Sequence, residues 1–151
     1  MSTLPVKIKK LRPDACIPVY QTPGAAACDL SAALDGPVTV MPGARALIPT
    51  GIALDFGASD GSVVALIFAR SGLAVKRGLA LSNGVGVIDA DYRGEIKVAL
   101  VNLGREPVTI DPGDRVAQMA FLPVSRAVFE EVDEVSDTER GAGGFGHTGV
   151  N

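Results

Sequence analysis

Two acids flank one alanine at Asp89-Ala90-Asp91, and Tyr92 follows directly. A carboxylate so placed can orient and deprotonate a water molecule. A phenol ring offers a flat face to a sugar or a base. Gly84, Gly86 and Gly94 surround these groups, and glycine lets a ligand approach main-chain N–H and C=O groups closely. Residues 83–94 therefore read as an arm on which a planar base can lie. Asp and Gly are also ordinary turn chemistry, so the stretch alone describes an acidic turn equally well.

A second candidate stands at Arg70-Ser71-Gly72. A short helix entered through Ser71 would present free N–H groups to phosphate oxygens, and Arg70 would add a charged planar fork. The plainer reading is a connector helix with a solvated arginine. The third candidate is the glycine-rich end. Arg140 can pair with phosphate, Phe145 can stack on a base and Thr148 can donate a hydrogen bond. Gly141, Gly143, Gly144, Gly146 and Gly149 would let such a tail fold over a ligand. A loose terminus is the plainer reading here.

These groups need a scaffold, and the composition says which kind. The chain has 151 residues, with 18 Gly, 10 Pro, no Trp and 5% aromatics. So many breakers favour short strands and turns over helices, around a core of Val, Ile, Leu and Ala. Residues 5–9 alternate, with Val6 and Ile8 on one face and lysines on the other. Residues 62–68 and 95–102 read as strands, the second with Ile96, Val98 and Leu100 on one face. Val87-Ile88 and the strand from Ile96 are expected to pair as a hairpin about the acidic turn. Met41-Pro42-Gly43 and Asp111-Pro112-Gly113 are turns feeding strands that carry Arg45 and Arg115, and residues 127–132 read as a last short strand. In the strand after Arg115, Gln118 shares the Val116 and Ala120 face, as a satisfied core amide or a ligand contact.

Several classes are disfavoured. A net charge of −3 argues against a general nucleic-acid binder, which carries a basic stripe. No run approaches the length of a membrane span and no secretion-signal core is visible, so a soluble, cytoplasmic protein is expected. Cys16 and Cys28 have neither metal-type nor disulfide-framework spacing and read as free thiols. One histidine, His147, cannot build a histidine metal cluster within one chain. The mean hydropathy of +0.29 fits apolar surface buried between subunits.

Five segments, in order, resemble the five motifs of the homotrimeric deoxyuridine triphosphatases (dUTPases). They are residues 26–32 around Asp29, Arg70-Ser71-Gly72-Leu73-Ala74, residues 83–94, residues 112–119 and residues 140–149. The resemblance implies an all-β fold, a distorted jelly-roll sandwich with one short helix. Residues 1–135 would form that domain and 136–151 a flexible tail closing an active site. It implies a homotrimer with shared sites that cleaves dUTP to dUMP and pyrophosphate with Mg²⁺. Asp89 matches the water-activating carboxylate. Asn83, Val87, Ile88 and Asp89 match the uracil-reading arm, and Tyr92 the ring under the deoxyribose. Arg70, Ser71, Gly72 and Gln118 match phosphate contacts, and Lys97 a weaker backbone contact. Asp29 matches a carboxylate that helps to place Mg²⁺ through water. Arg140, Phe145 and Thr148 match the closing tail. Cys28 and Ala69 depart from the Tyr and Pro found in many members, without removing a catalytic group. A deoxycytidine triphosphate deaminase of the same superfamily, or a non-catalytic nucleotide sensor, remains open. Asp89, where the deaminase chemistry needs a glutamate, argues against the first.

Overall fold

The computed structural model describes residues 3–57 and 60–144. Eleven strands and one helix are formed among them. In chain order they are β1 (Lys7–Lys10), β2 (Cys28–Ser31), β3 (Val38–Val40), β4 (Arg45–Pro49), β5 (Ile52–Asp55), β6 (Val63–Phe68), α1 (Ser71–Arg77), β7 (Leu79–Leu81), β8 (Gly86–Ile88), β9 (Lys97–Asn102), β10 (Val108–Ile110) and β11 (Arg115–Pro123). All strand pairs are antiparallel. They group as β2-β11-β6-β8, β4-β9-β7, β1-β5 and β3-β10. This is the expected distorted all-β jelly roll.

Alternation builds the core. Ile96, Val98 and Leu100 are each buried on one face of the β9 stretch, while Ala99 and Val101 are half-buried on the other. Phe56 meets Phe121 edge to face, with ring centroids 5.4 Å apart. Asn102 is the polar exception. Its amide donates to the carbonyls of Val40 and Glu106 and accepts from Gly104 N–H, so it ties β9 to the β3–β10 pair without an unsatisfied atom. The two Pro-Gly turns form as expected, with Gly43 at φ 74° and Gly113 at φ 86°, where other residues are strained. The helix ends on Gly78 in the left-handed region, whose N–H caps the carbonyls of Ala74 and Leu73.

Two strand expectations fail. Residues 127–132 form no strand, and Val128 and Phe129 stand 96% and 94% exposed. Their apolar pattern meets no partner strand within the described chain. Nor do β8 and β9 pair as a hairpin. β8 adds to β6, whereas β9 lies between β4 and β7. The intervening residues leave one sheet and join another. Ile96 N–H donates to Ile52 C=O, and Thr50 binds Ile96 C=O through both its N–H and its hydroxyl. Those bonds draw the returning limb away from β8.

Candidate active site

The site residues fall into two groups, one at one end of a sheet and the other on an arm that carries Asp89 toward the other end. The first is a charged corner where β2, β6 and β11 converge. Asp29 on β2 has a side chain only 10% exposed, held by two arginines. Arg70 Nε lies 3.0 Å from Oδ1, and Arg115 Nη1 lies 2.9 Å from Oδ2. Arg70 Nη1 also donates to the Arg115 carbonyl at 3.1 Å. Gln118 sits directly across from Asp29 and donates its amide to the Ala69 carbonyl at 3.0 Å.

A register shift between Arg115 and Ala117 makes this corner possible. An extra residue there reverses the in–out alternation, so Val116 and Ala117 are both buried. Arg115 and Gln118 thereby reach the same corner, and Val116 does not share the Gln118 face as its spacing suggests. Arg115 is the site group that sequence reasoning left without a role. Its Pro-Gly-x-Arg pattern marked the turn but not the pairing with Asp29, 86 residues away.

Ser71 and Gly72 open α1 beside this corner, and both are exposed. The first backbone bonds to the Arg70 carbonyl come from Leu73 and Ala74. The N–H groups of Ser71 and Gly72 are therefore without a main-chain acceptor among the described residues. Space beside Gly72 is open. Three kinds of donor thus come together here: guanidinium, amide and main-chain N–H.

The second group is the arm. Asn83 starts a turn through Gly84 at φ 74° into β8. A Cβ at Gly86 would lie 3.0 Å from the Ile67 Cβ, a tight contact that glycine avoids. β8 is the outer strand of its sheet, so alternate main-chain groups of Val87 and Ile88 face away from β6. Asp89 is exposed, and no hydrogen bond or ion pair engages its carboxylate among the described residues. Its carbonyl accepts the Tyr92 N–H at 3.1 Å. The Tyr92 hydroxyl donates to the Glu95 carbonyl at 3.0 Å, which folds the ring back over Gly94. Lys97 points its ammonium to Glu95, 3.6 Å away.

Strand register measures the gap between the groups. Gly86 pairs with Ile67 and Ile88 with Ala65, so β8 runs away from Arg70. Asp89 falls about six residues from Arg70 along β6, or roughly 20 Å at about 3.3 Å per residue. Arg140 is described farther along, with Nε donating to the Gly143 carbonyl at 2.8 Å. Phe145 and Thr148 lie outside the described residues.

Cys16 is exposed and Cys28 buried, and neither is in a disulfide. Burial raises the Cys28 thiol above its usual pKa, so it is neutral packing at the Tyr-type position. No group of three His, Cys, Asp or Glu side chains able to hold a metal occurs among the described residues. Both Asp29 oxygens already accept a guanidinium N–H, which disfavours direct coordination. Each retains a further lone pair for a bridging water. No described helix is long and apolar enough to cross a membrane.

A distorted jelly roll with a donor-rich corner and a free edge-strand arm defines the class: an all-β domain shaped to receive an anionic, planar ligand. The chain belongs to the dUTPase family, whose model matches residues 14–149. A deoxyuridine 5′-triphosphate nucleotidohydrolase of Desulfitobacterium hafniense is 53% identical, with all of both chains covered. One from Syntrophotalea carbinolica is 48% identical over 99% of each. Among solved structures, the Staphylococcus bacteriophage 80alpha dUTPase with dUPNHPP is 26% identical. It covers 98% of this chain and 100% of its own, at a TM-score of 0.84.

Proposed function

We propose that this chain hydrolyses dUTP to dUMP and pyrophosphate, which removes dUTP from the DNA precursor pool and supplies dUMP for dTMP synthesis. The observation that carries this reading is the family match across residues 14–149, which contains Asp89, Arg70, Gln118 and the arm in one continuous pattern. Relatives at about half identity are named for that reaction.

In this reading the base lies along β8, with Asn83 and the main chain of Val87, Ile88 and Asp89 reading its edge. Uracil's acceptors and N–H meet such groups, whereas cytosine presents a donor in place of an acceptor and leaves them unpaired. Tyr92 lies under the deoxyribose and leaves no room for a 2′-hydroxyl. Asp89 orients a water and takes its proton as the water attacks the α-phosphorus. Its lack of a competing side-chain partner suits a base. Arg70, Ser71, Gly72 and Gln118 hold the phosphates, and Lys97 contributes through its backbone. Mg²⁺ would supply neutralisation of the phosphate charge, and Asp29 would help to hold it through a water.

The roughly 20 Å between Asp89 and Arg70 supports a site built from more than one copy. A homotrimer would set the arm of one chain against the charged corner of the next, with residues 136–151 of a third closing over both. Exposed Val128 and Phe129 fit that path for the tail. The test is pyrophosphate release from dUTP, dCTP, dTTP and UTP, with ammonia release measured in parallel. Turnover confined to dUTP is expected. Ammonia from dCTP, or no turnover of any nucleotide, would overturn the reading.

A further inference from the structure

Arg93 follows Tyr92 and has no part in the roles above, yet it makes the densest set of bonds on the arm. One guanidinium nitrogen donates to the Ala90 carbonyl at 2.7 Å and to the Tyr92 carbonyl at 3.1 Å. The other donates to Asp55 Oδ1 at 3.1 Å. Asp55 ends β5, and the same Oδ1 accepts the Gly57 N–H at 3.0 Å. Its second oxygen faces Lys7 on β1 at 3.7 Å.

The arm is thus pinned at two points of one strand. Its returning limb is fixed at the start of β5, where Gly51 N–H donates to Glu95 Oε1 at 2.9 Å. Its tip is fixed at the end of β5 through Arg93. Just before the Arg93 point lie Asp89 and Tyr92, joined by one short turn from the Tyr92 N–H to the Asp89 carbonyl. Asp89, Asp91 and Tyr92 have exposed side chains, and only Ala90 between them is buried in the core. Beyond Ala90 the guanidinium fork holds the tip.

We infer that Arg93 and Asp55 are positioning residues that set the place of Tyr92, and so the selection of deoxyribose over ribose. The inference rests on the reading of Tyr92 as the sugar platform. Arg93 holds the carbonyls on both sides of Asp91, so its loss loosens the segment from Asp91 to Arg93 beyond the core-anchored Ala90. The ring then moves by an ångström or so, which is enough to admit a 2′-hydroxyl and to blunt attack. The phosphate corner, at the other end of β6, shares no bond with this clamp.

The experiment compares the parent chain with Arg93→Met, Arg93→Lys and Asp55→Asn. It measures kcat and KM for dUTP and UTP, and inhibition by free pyrophosphate. Arg93→Met is expected to lower the dUTP-over-UTP ratio of kcat/KM about tenfold, through loss of dUTP turnover and gain of UTP turnover. Arg93→Lys should recover part of it, since a lysine keeps the charge but not the fork. Asp55→Asn should move the ratio the same way by less. Pyrophosphate inhibition should stay within twofold of the parent. A ratio unchanged in Arg93→Met, or a shift in pyrophosphate inhibition as large as that in the ratio, would overturn the clamp alone. A parent that does not turn over dUTP would overturn the functional reading as well. Should Arg93→Met lose its fold by circular dichroism, Asp55→Asn decides on the same criteria.

Discussion

The charged corner and the arm position their groups by different physics. At the corner, side chain holds side chain across three strands: Arg70 and Arg115 grip Asp29, and Gln118 grips the Ala69 carbonyl. Charges taken partly from water are compensated locally, and these bonds hold the donors in a fixed array. On the arm, side chains grip main chain: Arg93 holds the Ala90 and Tyr92 carbonyls, and the Tyr92 hydroxyl holds that of Glu95. Asp89 is left exposed, with no side-chain partner among the described residues. Prepaired charge suits the proposed binding of a permanently anionic group at the corner. An unpaired carboxylate suits the proposed role of Asp89 as a base. The two designs fail differently when cut, which gives an ordered set of tests.

The largest effect belongs to the arm. Asp89→Asn keeps the shape and removes the base, so turnover should fall about 10²–10⁴-fold with little change in dUTP affinity. Near-parent turnover would remove Asp89 from the role. If sites are shared, mixing this variant with chains lacking residues 136–151 should restore part of the activity. Sedimentation should then show trimers, and an active monomer would contradict the assembly.

The corner should respond less in chemistry and more in binding. Asp29→Asn leaves two guanidinium groups facing an amide and frees Arg70 from its tether. We expect kcat/KM to fall about tenfold to a hundredfold, mostly through KM. Stability should drop by no more than about 3–5 kcal/mol, the range for breaking a buried pair. The second arginine is half exposed, so Arg115→Met should cost about 1 kcal/mol or less in stability. A fall confined to kcat in Asp29→Asn would assign the corner a chemical role instead of a binding one.

The same contrast explains what was legible in the sequence. Local chemistry was plain: Gly43 and Gly113 in their turns, α1 beginning at Ser71, and Ile96, Val98 and Leu100 facing the core. Pairing partners were not, because period-two alternation says which face is buried and nothing about which strand lies alongside. That is why β8 and β9 read as one hairpin although they belong to different sheets. Strands β3, β7 and β10, each three residues long like β8, are too short for alternation to register. The Asp29–Arg115 and Asp55–Arg93 pairs join residues far apart in sequence. Only the register of β2 on β11, and the return of the arm to β5, brings them together. The five motifs supplied the candidate residues by type, whereas the clamps beneath them are ordinary charged residues until the fold pairs them.

The smallest effect is on stability and separates scaffold from site. Arg12 holds Asp14 below the usual carboxylate pKa. Asp55 is held low by the Gly57 N–H first, then by Arg93 and Lys7, and Asp60 by Ser62. Each binds a proton less readily folded than unfolded, so its contribution is complete above the ordinary carboxylate value. As pH falls from there through the folded pKa, protonation favours the unfolded chain and the contribution is lost. All three carboxylates are solvent-facing, so each effect should be small and screened by salt. Melting temperature should therefore be flat in these groups from about pH 5 to 7 and fall below about pH 4. Asp14→Asn and Asp60→Asn should flatten that acid limb slightly without changing the dUTP-over-UTP ratio, because neither carboxylate bonds to the arm. Asp55→Asn should do both, since Asp55 alone of the three also grips Arg93. An Asp55→Asn protein that loses only its share of the acid limb would mark Asp55 as scaffold, and would separate the stability of the β5 end from the aim of the arm.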